Sequence, residues 1–413
     1  MDFIFKYKKL LSVIAFILTT ILLGYLIYAT FFKQIADTPN NSLENQGANT
    51  PTGSLPIAGS GDNKPAAEED KDTILPISDT YLQTDKIAKG GITITKQLED
   101  AATLGVEIAE NGSDLRYYNK NDEKFYRLNS AGDKVLLSDK VFHNVQGVSW
   151  AGSQNKAIIE YPDGANIVYN FETKKQITLP AHWKDFEFSP QGDKIVMKSI
   201  GLDEKNRWLA ISSDDGSQVR AIEQIGTKDA SVYPSWSPNN QTIAMYTEGV
   251  SFDKQEVFFV GLNNENFKSL TVEGRDFQPK WSPSGDRLLY SVYSSANNLN
   301  PSLWISNAQG ESIGSGRKEL NVSTWAEKCH FANTTDIYCA VPEKLEEGSG
   351  LFPELANSTK DNLYKINAIT GQKKLIAIPD GDYTISNITI SEDERNLYFT
   401  DKRSENIYQV KLK

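Results

Sequence analysis

Pro234-Ser-Trp236-Ser-Pro-Asn-Asn-Gln-Thr-Ile-Ala-Met-Tyr246 and Pro279-Lys-Trp281-Ser-Pro-Ser-Gly-Asp-Arg-Leu-Leu-Tyr-Ser291 are two copies of one phrase: a tryptophan, a tight polar turn, and an apolar run. A strand repeat recurring at about 45 residues is the mark of a β-propeller, because one four-stranded blade cannot bury both faces without its neighbours. Within the phrase each residue has a mechanical job. Trp281 fills space between blades, Pro283 presets the first corner of the turn, and Gly285 permits a positive φ.

Working outward, seven such units can be counted. The first runs from Gly105-Val-Glu-Ile through Asp114-Leu-Arg-Tyr-Tyr118 and Lys124-Phe-Tyr-Arg-Leu128 to Lys134-Val-Leu-Leu137. Innermost strands of the later blades end near Trp150, Phe188, Trp236, Trp281, Phe331 and Ile390. Third strands are the alternating runs typified by Asn166-Ile-Val-Tyr169 and Glu256-Val-Phe-Phe-Val260. The last blade is one strand short, while Ile92 to Leu98 has strand character and no blade of its own. This predicts that Ile92 to Leu98 closes the ring as the outer strand of blade seven, leaving only short edges.

Phe188-Ser-Pro-Gln-Gly-Asp and Trp150-Ala-Gly-Ser-Gln-Asn are weaker copies of the phrase. Together the copies resemble the repeats of TolB-type, WD-repeat-like bacterial propellers from about Ile92 to Lys413, without the Gly-His and Trp-Asp signatures of eukaryotic WD repeats. Lys328-Cys-His-Phe with Ile337-Tyr-Cys-Ala-Val-Pro342 resembles the sixth-blade signature of membrane-anchored bacterial propellers of unassigned function. The resemblance implies a fold and a topology, not an activity.

Ahead of the repeats, Leu10 to Phe32 is an uncharged apolar run, about 34 Å long as a helix, enough to cross a bilayer. Lys6, Lys8 and Lys9 precede it, so the positive-inside rule places residues 1–9 in the cytoplasm and the rest outside. A cleaved signal peptide is the alternative, but the run exceeds an h-region and lacks a clear small-x-small site. Residues 33–90 are rich in Asn, Pro, Gly, Ser, Asp and Glu, and read as a flexible linker with a span of about 40 Å. Residues 91–413 form the propeller, an all-β fold held at the cell membrane by a single pass.

Cys329 and Cys339 lie symmetrically about Thr334, so a hairpin turning at Asn333 to Thr335 sets them opposite each other. Outside the cytoplasm such a pair can form a disulfide; free buried thiols are the alternative, and a metal site with His330 conflicts with the alternation of strand side chains. The formal charge of −11 and the lack of Lys/Arg clusters in the repeats argue against nucleic acid. Catalytic signals are thin. Gly310-Glu-Ser312-Ile-Gly314 matches G-x-S-x-G, but in a hairpin rather than between strand and helix. Ser212-Ser-Asp-Asp-Gly216 is first a turn sequence, and His143, His182 and His330 lack metal spacing. No cofactor, metal or catalytic residue is assigned.

Loop length carries the functional information. Turns between first and second strands, and between third and fourth, are short and share one face. The opposite face receives long connections at Ile200 to Asn206, Glu248 to Gln255, Ser294 to Pro301 and Pro342 to Asp361. Its candidate binding residues are His143, His182, Trp183, Tyr233, Arg275, Phe277, Trp325, Phe352 and Tyr383, because aromatics with Arg favour protein and sugar interfaces. The expectation is a non-catalytic envelope module that binds a protein, peptide or glycan. The alternative is an envelope enzyme of lyase, hydrolase or lactonase type, working at the channel mouth.

Overall fold

The computed structural model describes residues 18–23, 83–263, 265 and 267–412. The chain divides into two units, Met1–Ala66 and Ala67–Lys413. In the first, Leu18 to Leu23 are helical with exposed side chains; the rest of the expected membrane span 10–32, and most of the linker, lie outside the described residues. Among the described residues no helix is long and apolar enough to cross a membrane.

The second unit is a seven-bladed propeller. Blade one is Thr103–Ile108, Leu115–Asn119, Lys124–Leu128 and Lys134–Leu136, a four-stranded antiparallel meander. Residues 147–178, 183–224, 232–272, 275–319 and 329–377 repeat that plan as blades two to six. Blade seven combines Ile385–Ile390, Asn396–Asp401 and Ile407–Lys411 with Lys96–Glu99 from the other end of the sequence.

Second strands such as Lys156–Glu160 are buried on both faces, so they read as continuous rather than alternating apolar runs. Apolar side chains gather into seven clusters, each built from two neighbouring blades. Tyr118 and Phe125 of blade one, for example, pack with Trp150, Ile159, Tyr169 and Phe171 of blade two. Leu115, Tyr117 and Leu128 of blade one meet Tyr398 and Ile407 of blade seven, which closes the circle. No blade has a core of its own, so stability resides between blades.

The turn of the repeat works as its chemistry demands. Ser282 Oγ accepts from the Arg287 N–H at 3.0 Å and donates to Asp286 at 2.8 Å, while the Gly285 N–H donates to Ser282 O at 2.9 Å. Gly285 sits at φ +69°, and a Cβ there would lie 2.8 Å from the Asn239 backbone nitrogen of the equivalent turn in blade four. Both conformation and space therefore call for glycine. The tryptophans also bind across blades, Trp281 Nε1 donating to Ser235 Oγ at 3.0 Å and Trp150 Nε1 to Gly105 O at 2.7 Å.

The ring closes through the strand that the sequence singles out, displaced along the chain. Lys96 pairs with Gln409, Gln97 with Tyr408 and, past a bulge, Glu99 with Ile407. Ile92 and Ile94 are exposed, and Thr93 forms a parallel bridge to Pro379 instead. The cause is local: Asp380 accepts from the Thr95 N–H and hydroxyl, and Ile378 O accepts from the Thr93 N–H, holding residues 93–95 against the end of blade six. Packing begins still earlier, where Asp85 pairs with Lys374 at 2.7 Å and Ile87 joins the core between blades six and seven.

Cys329 and Cys339 are directly opposite in the first hairpin of blade six and form a disulfide. Asn333 Oδ1 closes that hairpin by accepting from the Thr335 and Asp336 N–H groups. One connection differs from the sequence reading. Glu248 to Gln255 is not a loop but the tip of a long hairpin, Thr242–Ser251 with Lys254–Gly261, its register held to the Ser251–Lys254 pair.

Candidate functional site

Between second and third strands the chain runs over one face of the propeller, and in blades four, five and six these connections are tied together sideways. Arg275 Nε donates to Phe252 O at 3.0 Å, fixing the hairpin tip of blade four. The neighbouring Asp253 accepts from Ser295 N at 2.7 Å, and from its hydroxyl, in the loop of blade five. Asn298 O and Leu299 O in that loop accept from the Gly348 and Gly350 N–H groups of the long insertion, at 2.9 and 2.8 Å. A Cβ on Gly350 would meet Tyr293 at 2.5 Å, so the two segments touch directly.

The insertion between Pro342 and Asp361 is therefore an ordered structure. It carries a short 3-10 helix, Pro353–Ala356, and completes a ridge across three blades. The ridge displays apolar side chains to solvent: Val250 and Phe252 on the hairpin, and Leu351, Phe352 and Leu355 on the insertion. Leu202, in the corresponding connection of blade three, is fully exposed. Apolar residues clustered on one rigid surface mark an interaction site, whereas single ones mean little.

The candidate residues divide by burial. Phe352 is 51% exposed on the insertion, and Arg275 is half-buried as the brace beneath Phe252. His143 is exposed beside Glu123 and lines a cavity of about 620 Å³ with Lys140, Tyr161 and Gln176. His182 is exposed, its ring set edge-on to Trp183. Tyr233 is half-buried opposite Met245. Tyr383 is half-buried against Phe399 and Tyr408, its hydroxyl 3.0 Å from Thr95 Oγ1.

Trp183, Phe277 and Trp325 are instead buried, at 3, 2 and 5% exposure, and do not present a surface. Aromatics at the start of an innermost strand wedge between blades there, as Trp183 and Phe277 do in their clusters. The structure thus brings Arg275 and Phe352 onto one ridge and places His143 on a separate part of the rim.

A second constellation is invisible in any local motif. Ile108, Trp150, Phe188, Trp281 and Ile390 pair with Leu115, Ala157, Ile195, Leu288 and Leu397 at the same point of each first hairpin. The residues just before them, with their counterparts in blades four and six, are Glu107, Ser149, Glu187, Ser235, Lys280, His330 and Thr389. Side chains in this ring reach toward the next blade: Glu187 accepts from the Trp236 N–H at 3.0 Å, and Lys280 donates to Cys329 O. The ring emerges when the blades are aligned on the Trp, Phe or Ile that precedes the first turn and the residue one place before it is taken.

Enclosure shapes its ionisation. Burial, reinforced by the charge of Glu107, pushes the Glu187 carboxyl up to about 8 against the opposing Trp236 hydrogen bond. Burial brings Lys280 down to about 8, although Glu327 and Glu107 favour its charged form, and brings His330 down to about 3. Burial raises the Glu107 carboxyl as well, against the opposing charges of Arg116 and Lys280. Near neutrality the ring presents a protonated carboxyl, a neutral imidazole and an ammonium close to titration.

That ionisation has a measurable consequence. Between the ordinary carboxyl value and about 8, the folded chain holds a proton at Glu187 that the unfolded chain lacks, so this group lowers stability as pH rises. At about 1.4 kcal/mol per unit, the step from pH 7 to 8 costs about 1 kcal/mol. Glu187→Gln keeps an acceptor for Trp236 and cannot ionise. Urea midpoints between pH 6.5 and 8 should fall more steeply for the natural protein than for the variant; parallel profiles would refute the assignment.

Other features are structural. Gly310–Ser312 is a 3-10 turn between the outer strands of blade five, where Ser312 Oγ donates to Gln309 O at 2.6 Å. Gly216 closes a turn onto Ser213 O, and Asp214 in it pairs with Lys156. Among the described residues no group of three or more His, Cys, Asp or Glu could hold a metal ion.

No family model matches the chain, and no curated protein matches it. Solved structures do. An oligogalacturonate lyase in complex with manganese aligns with a TM-score of 0.55 and 14% identity, over 82% of this chain and 97% of that one. The Cps50 (Swd1) β-propeller domain of Myceliophteria thermophila aligns at 0.51 and 9%, over 77% of this chain and 100% of that one. TolB from Acinetobacter baumannii is also matched, at 0.42 and 13%, over 66% and 62%. At such identities the likeness is one of architecture, and the chain is a seven-bladed β-propeller whose neighbours differ in what they do.

Proposed function

We propose that the protein is a non-catalytic binding or scaffold module, which recognises an envelope protein, peptide or glycan through the ridge of blades four to six. The observation that carries this reading is the set Val250, Phe252, Leu351, Phe352 and Leu355, exposed on connections that hydrogen bonds hold in fixed relation. A preorganised apolar crest loses little entropy when covered, and so can bind at modest area. The apolar run Leu10 to Phe32 and its lysine flank further support a single-pass membrane anchor with the propeller outside. Tethering concentrates the ridge near membrane and wall partners.

A photo-crosslinker at Phe352 or Phe252 in intact cells, with Ile369 on the opposite face as an equally apolar, exposed control, tests the reading. One dominant species captured from both ridge positions and not from Ile369 is the expected outcome. Equal capture from all three, or none, would remove the ridge from consideration.

The ring of Glu107, Glu187, Lys280 and His330 favours a second reading, an envelope enzyme of lyase, hydrolase or lactonase type, since perturbed carboxyl and amine groups brought together suit proton transfer. Turnover of an acidic polysaccharide or lactone by the purified protein, abolished by Glu187→Gln, would establish it in place of the first.

A further inference from the structure

The insertion between Pro342 and Asp361 carries charge as well as apolar surface, and its turns set the two side by side. Ser349, itself fully buried, donates from its N–H and its hydroxyl to Glu346 O at 3.2 and 2.7 Å. The Leu351 and Phe352 N–H groups both return to Gly348 O, at 3.0 and 2.9 Å. The Leu355 N–H then donates to Phe352 O at 3.1 Å, in a 3-10 turn that eclipses positions i and i+3. Phe352 and Leu355 therefore stand on one side of the turn, at 51 and 38% exposure, with Glu354 between them in sequence.

Most charges around the ridge are already answered. Glu248 pairs with Lys228 at 2.6 Å, Lys254 with Glu273 at 3.5 Å and Glu343 with Lys360 at 3.3 Å. Glu346, Glu347 and Glu354 are exposed and form no ion pair among the described residues. Lys360 being taken by Glu343, Lys344 is the insertion's remaining lysine against those three carboxylates, and the crest is negative.

This pattern selects among possible partners. Leucine and phenylalanine return no hydrogen bonds to the hydroxyls of a glycan, and carboxylates beside an apolar tip oppose its entry into an anionic lipid surface. Resting on the ridge reading, we propose that the partner is a protein segment of the opposite pattern, a cationic amphipathic helix. Its apolar stripe covers Phe352 and Leu355, and its flanking lysines or arginines meet Glu346, Glu347 and Glu354. The apolar crest supplies affinity, and the carboxylates reject helices that are apolar but acidic.

The full-length protein in phosphatidylcholine nanodiscs, with a benzophenone photo-crosslinker in place of Phe352, tests this against two labelled peptides. One is a leucine/lysine amphipathic helix of about four turns, the other the same sequence with glutamate for lysine. Capture from Phe352 should favour the lysine peptide by about tenfold at low ionic strength and approach parity at about 0.5 M salt. A crosslinker at Ile369, exposed on the opposite face, should capture neither. Glu346→Lys/Glu347→Lys/Glu354→Lys should reverse the preference without moving the melting temperature, since all three side chains are exposed. Glu172→Lys/Glu311→Lys/Glu392→Lys, an equal change of charge on exposed turns of the opposite face, should leave the preference as it was, separating a local effect from the net charge of −11. Equal capture of both peptides from Phe352 overturns the cationic partner and leaves the ridge as a binding surface; equal capture from Phe352 and Ile369 overturns both. Capture of neither peptide, or reversal by the control variant, also overturns the proposal. Crosslinking from Phe352 to lipid in nanodiscs containing phosphatidylglycerol would assign the crest to the membrane instead.

Discussion

A chain lacking residues 91–99, with everything else intact, is expected to lose its cooperative melting transition and to aggregate. Lys96–Glu99 is the outer strand of blade seven, and without it Ile407–Lys411 becomes an open edge. Glu99 makes the strand more than a cover. It is 1% exposed and accepts from the Tyr117 hydroxyl of blade one, from Lys134 at 3.0 Å, and from the Asp100 and Ala101 N–H groups at 3.0 and 3.1 Å. Burial alone would raise its pKa, but these donors outweigh it and hold the carboxyl below its ordinary value.

Glu99→Ala therefore isolates the electrostatic part of closure. It leaves the Tyr117 hydroxyl buried with no acceptor, and about 3 kcal/mol should be lost at neutral pH. Because the folded pKa is depressed, the contribution of Glu99 is present above the ordinary carboxyl value and disappears as pH falls through the folded one. The difference between natural protein and variant, read from urea midpoints, should accordingly shrink in acid. A deletion that melts like the natural chain would mean that the ring holds without its closing strand.

Much of this architecture was legible because it rests on steric needs that fall within a few residues. Trp-Ser-Pro-Ser-Gly-Asp announces a strand end, a tight turn and a positive φ in six positions, and Cys329 and Cys339 announce a hairpin by symmetry. The site was less legible because propeller function is assembled from one residue per blade. Glu107, Glu187, Lys280 and His330 are each ordinary in their own segment, and only a shared place in the hairpin relates them.

Burial misled in the other direction. Trp183, Phe277 and Trp325 sit in polar surroundings, within two residues of Lys184, Asp276 and Glu327, and so read as rim residues. A strand beginning at the rim turns alternate side chains into the inter-blade core, as at Trp183 and Phe277, while Trp325 is buried just ahead of the short 3-10 helix Ala326–Lys328. Glu248 to Gln255 likewise reads as loop because a hairpin tip standing in solvent needs no apolar pattern beyond Val250 and Phe252.

Lys328→Met is expected to cost about 3–5 kcal/mol, the usual penalty for stripping one partner from a buried ion pair. Both charges are almost wholly enclosed, at 5 and 0% side-chain exposure, and burial pushes Asp361 up and Lys328 down. Asp361 also accepts from the Ile385 N–H at 2.6 Å, so the same carboxylate ends the insertion and anchors the first strand of blade seven. Removing Lys328 leaves that carboxylate uncompensated, with its pKa raised further above the unfolded value. The penalty applies above the unfolded pKa and is relieved as pH falls, so the variant should recover part of its deficit between pH 7 and 5. Lys328→Met/Asp361→Asn should regain stability relative to Lys328→Met alone, since Asn keeps an acceptor for Ile385 without the charge. A thermodynamic cycle over these variants gives the coupling directly. If Lys328→Met melts like the natural protein at pH 7, the pair carries no charge in the fold. The insertion would then owe its position to its contacts with the loop of blade five and to the Thr384 hydroxyl, which lies 3.0 Å from Asn357 O and from Thr359 O.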